Sequence, residues 1–322
     1  MAYTEIQKRG KKRYYYLVHT VRIDSKFKKL RVFLGANLGD DKLKEEIENK
    51  IKVLDGKVSA IKKAYAEFKI SIGFSQKLFD NEKAKKLEDI KKSYQKSVKF
   101  TDKDILKNVR ESFLIGYAFN TNAAEGNTIS LKETELILKK GIVPKSHSLR
   151  EIYEIENTVK AYEYMEAYDG KLTHEFILCL HKLITKNTLE NSKNEGRYRR
   201  SGQNVAMLGS KHFPPNGGRR IKKLIEMLIK DFYNSDLHII ESAIVFHSAF
   251  ILIHPFIDGN GRVSRAVFNW ILLKNGYPQV SFSSAEHVEY TDFLELSRDG
   301  NTKPLAEYIF DKILSSEFLY VH

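Results

Sequence analysis

The chain has 322 residues, 42% of them hydrophobic and 30% charged, the composition of a soluble globular protein with one large domain or two modest ones. It has no run of 18 apolar residues, so no transmembrane helix and no membrane partner are expected, and Met1 to Arg9 lack the apolar core of a signal peptide. The only cysteine, Cys179, excludes an intrachain disulfide and points to a reducing, cytoplasmic setting. The net charge of +13 is uneven: residues 1–100 hold 26 Lys and Arg against 13 Asp and Glu, which is the entire excess.

In chain order, residues 1–40 are expected to form a small basic β-hairpin module. Tyr14 to Ile23 is rich in aromatic and β-branched residues, Asp24-Ser25-Lys26 supplies a turn, and Phe27 to Leu34 returns. Lys8, Arg9, Lys11, Lys12, Arg13, Arg22, Lys26, Lys28, Lys29 and Arg31 interleave with those aromatics. This mix suits a nucleic-acid partner, and it equally serves to blunt a sheet edge. Residues 41–100 read as a helical segment, with Ile47, Ile51, Leu54, Val58, Ile61, Tyr65 and Phe68 at mostly three- and four-residue steps. An arm, a homodimer contact and a packing extension are all open for it.

From residue 101 to the C-terminus the pattern is that of one mainly α domain. Thr101 with Asp104 signals a helix start, and the helix, 103–125, stops at Gly126, where a left-handed residue ends it. Glu125 lies at a helix C-terminus, where the macrodipole disfavours a carboxylate, so a specific partner is expected for it. Ser130 to Glu133 reads as a capping box, and Glu151 to Tyr162 and Phe176 to Ile184 as amphipathic core helices, with His181 structural. Gly196 to Pro215 is bounded by Gly and Pro and suits a hairpin.

Ile239 to Ile253 is apolar on nearly every side and reads as a buried helix, and a second helix is expected over Val263 to Lys274, stopped by Asn275-Gly276. Between them stands His254-Pro255-Phe256-Ile257-Asp258-Gly259-Asn260-Gly261-Arg262-Val263-Ser264-Arg265. Gly259 and Gly261 permit positive φ and close backbone approach, and N–H groups at a helix N-terminus cradle anions. Arg262 and Arg265, three residues apart, share a face in the first turn and oppose the macrodipole, which calls for an anion such as a polyphosphate. Asp258 is the candidate ligand for a hard cation such as Mg²⁺, and His254 the candidate general base.

This string resembles the signature of the Fic (filamentation induced by cAMP) family, His-x-Phe-x-Asp/Glu-Gly-Asn-Gly-Arg-x-x-Arg, at every defined position. The resemblance implies a Fic-type helical core with a β-hairpin flap. It also implies a protein adenylyltransferase that moves AMP from Mg-ATP to a Ser, Thr or Tyr hydroxyl of a target protein. In these terms His254 and Arg262 are catalytic and Asp258 holds the metal. Gly259, Asn260, Gly261, Arg262, Arg265, Asn269 and Tyr290 contact ATP, the last two near the adenine. The segment Thr121 to Gly126 is similar to the family's inhibitory motif, whose glutamate, here Glu125, pairs with the second motif arginine, here Arg265, with Thr121 at the motif's start. The segment from Gly196 resembles the target-docking flap, with Val205, Met207 and Leu208 as its contacts.

Two other readings stand beside transfer. The same site suits removal of AMP from a modified protein, with Glu125 positioning water, and a nucleic-acid-binding regulator with an auxiliary Fic site fits the basic residues. A fold relative that transfers the γ-phosphate replaces the second motif glycine with lysine, and Gly261 disfavours it.

Overall fold

The computed structural model describes residues 2–10, 12–23, 26–66, 73–205 and 214–316. They divide into two compact units, Met1–Lys69 and Ile70–His322.

The first unit is a three-stranded antiparallel sheet in the order β1 (Ala2–Arg9), β2 (Lys12–Ile23), β3 (Lys26–Ala36), followed by helix α1 (Asp40–Ala66). Alternation puts Tyr15, Leu17, Val21 and Leu34 on one face, where Leu54 and Val58 of α1 close a small core. The expected hairpin is β2–β3, and β1 is an additional strand: Tyr3 pairs with Val18 and Glu5 with Tyr16. Its alternation is weak because only Ala2, Glu5 and Gln7 are even half-buried, so hydrophobicity did not mark it.

The second unit holds α2 (Asn81–Phe100), α3 (Lys103–Ala123), α4 (Leu131–Lys140), α5 (Leu149–Ala167), α6 (His174–Ile184), α7 (Arg219–Tyr233), α8 (Ile239–Ile253), α9 (Asn260–Lys274), α10 (His287–Arg298) and α11 (Lys303–Leu314). The helical segment 41–100 is therefore two elements in two units. Helix α1 closes the sheet's core, and α2 buries Leu87 and Ile90 in the helical core, so both are packing extensions.

Helix α8 is the axis of this unit, buried from Ile240 to Ile253 as its unbroken apolarity requires. Its N-terminus is tied down by Glu241, whose carboxylate accepts from the backbone of Leu78 and Phe79 and from the His238 N–H. Helix α3 starts at Asp102, not Thr101: the Asp102 carboxylate accepts from the Asp104 N–H at 2.8 Å. The capping box at Ser130 and Glu133 forms as expected. Among the described residues no helix is long and apolar enough to cross a membrane.

Candidate active site

The site is built where α8 ends and α9 begins. His254 terminates α8 with φ 49°, a left-handed conformation that a residue with a Cβ adopts at a cost. It is held there from three sides. The His254 N–H donates to Phe250 O at 3.0 Å, and its ring Nδ1 lies 3.3 Å from Ile251 O. Its own carbonyl accepts from Arg199 Nε at 2.8 Å.

Arg199 is fully buried, and its guanidinium donates to main-chain carbonyls: His254, Ile253, Gln203 and Pro215. Its N–H meets Pro255 O at 2.8 Å. Burial pushes its pKa down, since charge in the interior is disfavoured. This side chain staples the turn at His254 to both described ends of segment 196–215. The sequence gives Arg199 no task, because its partners are carbonyls and carry no side-chain signal.

Below the turn the loop is closed on itself. Asn260 donates from its amide to Phe256 O (3.0 Å) and accepts from the Phe256 N–H (2.8 Å). That commits the Asn260 side chain to the loop and leaves its backbone N–H facing the site. His181 stacks on Phe256 with ring centroids 3.7 Å apart; its Nε2 donates to Asp258 O and its Nδ1 accepts from the Gly196 N–H. Gly259 has φ 78° and sits against Thr185 and His181, so a side chain there is both strained and crowded. The first turn of α9 receives no side-chain cap, which leaves its N–H groups facing the site.

Three charged groups converge on that helix end. Arg265, buried, donates from Nε to Thr121 Oγ1 (2.7 Å) and from Nη2 to Thr121 O (2.9 Å) and Glu125 Oε1 (2.7 Å). The sequence expectation joined these residues across 140 and 144 positions, and the structure brings them together. Gly261 lies directly beneath: a methyl group there would collide with the Glu125 carboxylate. Burial works to raise the Glu125 pKa, but Arg265 and then Arg262 outweigh it and hold the carboxyl below its ordinary range. Arg262, also buried, reaches Asp258 Oδ1 (3.2 Å) and lies 3.4 Å from Glu154 Oε1; its Nε and Nη1 donate no hydrogen bond among the described residues.

Asp258 is half-exposed and receives a second cation, Arg150 Nη2, at 3.0 Å on Oδ2. Arg150 also contacts Glu154 at 3.2 Å. Sequence reading missed Arg150 and Glu154, which lie on α5, more than a hundred residues before the motif. A cavity of about 320 Å³ opens beside Asp258, lined by Arg150, Thr188, Glu190, Asn191, Asn194 and Ile257.

Asn269 and Tyr290 are interior. The Asn269 amide pairs both backbone groups of Val280 at 2.9 Å, and Tyr290 OH lies 2.6 Å from His247 Nε2. His247 continues to Ser264 Oγ at 2.8 Å, so Tyr290 and Ser264 are held by one buried ring. The flap residue Val205 is half-buried; Met207 and Leu208 lie outside the described residues, and the described flanks 196–205 and 214–218 carry turns without strands.

Burial lowers the pKa of His181 to about 4 and of His247 to about 3. Both are therefore neutral in the fold, while in the unfolded chain they take up protons near pH 6.5. Stability is full above that value and lost as pH falls, at about 1.4 kcal/mol per pH unit for each ring. The melting temperature should drop steadily between pH 6.5 and 5, and less steeply in His181→Gln; a flat profile would show that these rings are not buried and neutral.

A model of the Fic/DOC family matches residues 171–272. Two curated relatives, both named protein adenylyltransferase Fic, are from Drosophila willistoni (30% identical) and Drosophila ananassae (29%), each over 211 residues. That stretch is 64% of this chain and 41% of each relative, so the chain matches well under half of their length. Among solved structures, a Fic domain containing signaling protein from Bacteroides thetaiotaomicron superposes with TM-score 0.64 at 23% identity, over 74% of this chain and 94% of that one. Fic-1 from C. elegans superposes with TM-score 0.62 at 22% identity, over 86% and 75%. The matched residues run from just before α6 through most of α9 and include the whole loop from His254 to Arg265: the chain carries a Fic/DOC family domain at residues 171–272.

Proposed function

We propose that the protein is an adenylyltransferase that moves AMP from ATP to a hydroxyl side chain of a target protein and is restrained by Glu125. The observation that carries this reading is the Glu125 carboxylate, an anion that lies over Gly261 at the uncapped end of α9 and on the Arg265 guanidinium. A phosphate has the same charge sign and seeks the same donors, so Glu125 and the γ-phosphate compete for one place. Relatives named as adenylyltransferases support the reaction class.

In the reaction the target hydroxyl oxygen attacks the α-phosphorus, the bond from that phosphorus to the α–β bridging oxygen breaks, and pyrophosphate leaves. With the His254 Nδ1–H directed at Ile251 O, Nε2 is the basic atom that takes the hydroxyl proton. Arg262, with donors to spare, meets charge on the leaving pyrophosphate, and the backbone of Gly259 to Gly261 cradles the phosphates. Arg265 orients the γ-phosphate once Glu125 moves away.

The donors present fit Mg²⁺ in its usual nucleotide-bound form, which takes one or two carboxylates and the phosphates. Asp258 is the carboxylate, partly exposed at the edge of the cradle. Bound there, the ion would withdraw charge from the phosphates. Arg150 competes for the same carboxylate, so Arg150→Ala should lower the Mn²⁺ concentration needed for half-saturation in the presence of ATP several-fold, read by electron paramagnetic resonance; unchanged binding would remove Arg150 from that role.

The test is incubation of the purified chain with α-labelled ATP and Mg²⁺, with His254→Ala as control. Label on protein that the histidine variant lacks supports the reading, and absence of label from a folded, Glu125-substituted sample ends it. The opposite reaction, release of AMP from a modified target, is separated by a timed assay on pre-adenylylated protein.

A further inference from the structure

The N-terminal sheet has a second face that its own helix does not use. Cross-strand partners share a face, so the register groups Tyr3, Val18 and Arg31 in one row and Glu5, Tyr16 and Phe33 in the next. Gln7 with Tyr14, Arg9 with Lys12, Thr20 with Lys29 and Arg22 with Phe27 continue the surface opposite Tyr15, Leu17 and Leu34. Tyr3 and Phe33 remain 40% and 48% exposed. Among the described residues of this face, Glu5 is the one carboxylate, and it is already held by Arg31 (3.0 Å) and Lys29 (3.4 Å). Arg9, Lys12, Lys29 and Arg31 thus outnumber it, on a unit in which residues 1–69 hold 18 Lys and Arg against 9 Asp and Glu.

We propose that this face is a docking surface for duplex DNA, entering the major groove. The charge complements a phosphate backbone. Geometry decides among polyanions. Strands lie about 4.8 Å apart, so the B-form major groove, about 12 Å wide, admits two strands of the sheet with the third along the phosphate wall. The narrow major groove of an RNA duplex does not. A single strand asks for open ring faces on which bases stack. Here Phe33 packs tilted against Tyr14 (6.3 Å, 38°) and Tyr16 (5.4 Å, 52°), while Arg9 covers Tyr14 and Lys29 covers Tyr3. Along these rows the rings support the cations, which make the contact, while Phe27 stands 70% exposed at the far end of the face. This surface belongs to Met1–Lys69 and does not depend on the transferase reading.

The test uses the full chain and a labelled DNA duplex of roughly 20 base pairs, two helical turns, in a polarisation assay over a range of salt. Duplex DNA should bind more tightly than either separated strand or an RNA duplex of the same sequence. Lys29→Ala with Arg31→Ala should weaken it about tenfold or more and make the log–log salt slope shallower by about 2. Arg9→Ala with Lys12→Ala, at the other end of the face, should do the same. Lys85→Ala with Lys96→Ala on α2 removes equal charge and should leave affinity within about twofold. Equal losses in all three pairs, no binding at low salt, or preference for a single strand or for RNA would each overturn the proposal. Circular dichroism confirms that the variants fold.

Discussion

Replacing Glu125 with glycine should raise AMP transfer by roughly 10- to 100-fold at subsaturating ATP, the equivalent of one charge-assisted buried contact. The direction follows from the geometry: the carboxylate holds the Arg265 Nη2 and covers Gly261, and its removal frees a guanidinium and a cradle at once. The same change has a cost to the empty protein. Arg265 keeps its bonds to Thr121 but loses its counter-charge in the interior, so the variant should melt at a lower temperature than wild type. ATP should then raise the melting temperature of the variant by more than it raises that of wild type, because the nucleotide restores the missing negative charge. Radiolabel incorporation and a thermal shift measurement read the two effects separately. Equal labelling by both proteins would mean that Glu125 is not the restraint.

His254→Asn should remove about 10²- to 10⁴-fold of the transfer rate while leaving ATP affinity within a few-fold, the signature of a lost general base. Asparagine suits the test because it tolerates the left-handed backbone that His254 occupies, whereas alanine adds strain at φ 49°. The comparison is best made in the Glu125→Gly background, where there is rate to lose. A variant that binds ATP and still labels protein at the parental rate would remove the proton transfer from residue 254.

Most of the site was legible because its parts are local. The apolar run of α8, the glycines at 259 and 261, and the arginines one turn apart carry their geometry in their spacing. Glu125 was legible for a different reason: a carboxylate at a helix end that disfavours it asks for a partner. What stayed hidden depends on distant chain segments. Arg199 binds backbone, which has no sequence signature, and Arg150 reaches Asp258 from 108 residues away. The same limit explains the boundary in the helical stretch 41–100, which reads as helical throughout but does not show that α1 and α2 bury their faces in different cores. Asn269 and Tyr290 are held in the interior by hydrogen bonds to Val280 and His247, partners that no spacing in the sequence announces.

If Glu125 restrains the site as proposed, its contact with Arg265 sets the kind of signal that could release it. Both residues belong to one chain and one compact unit, so dilution leaves their encounter frequency unchanged. Release requires a chemical competitor for the guanidinium, or a partner that pulls α3 and its last turn off the end of α9. In the proposed restraint each copy therefore carries its own brake and the group it blocks, and what binds that copy decides whether the brake lifts.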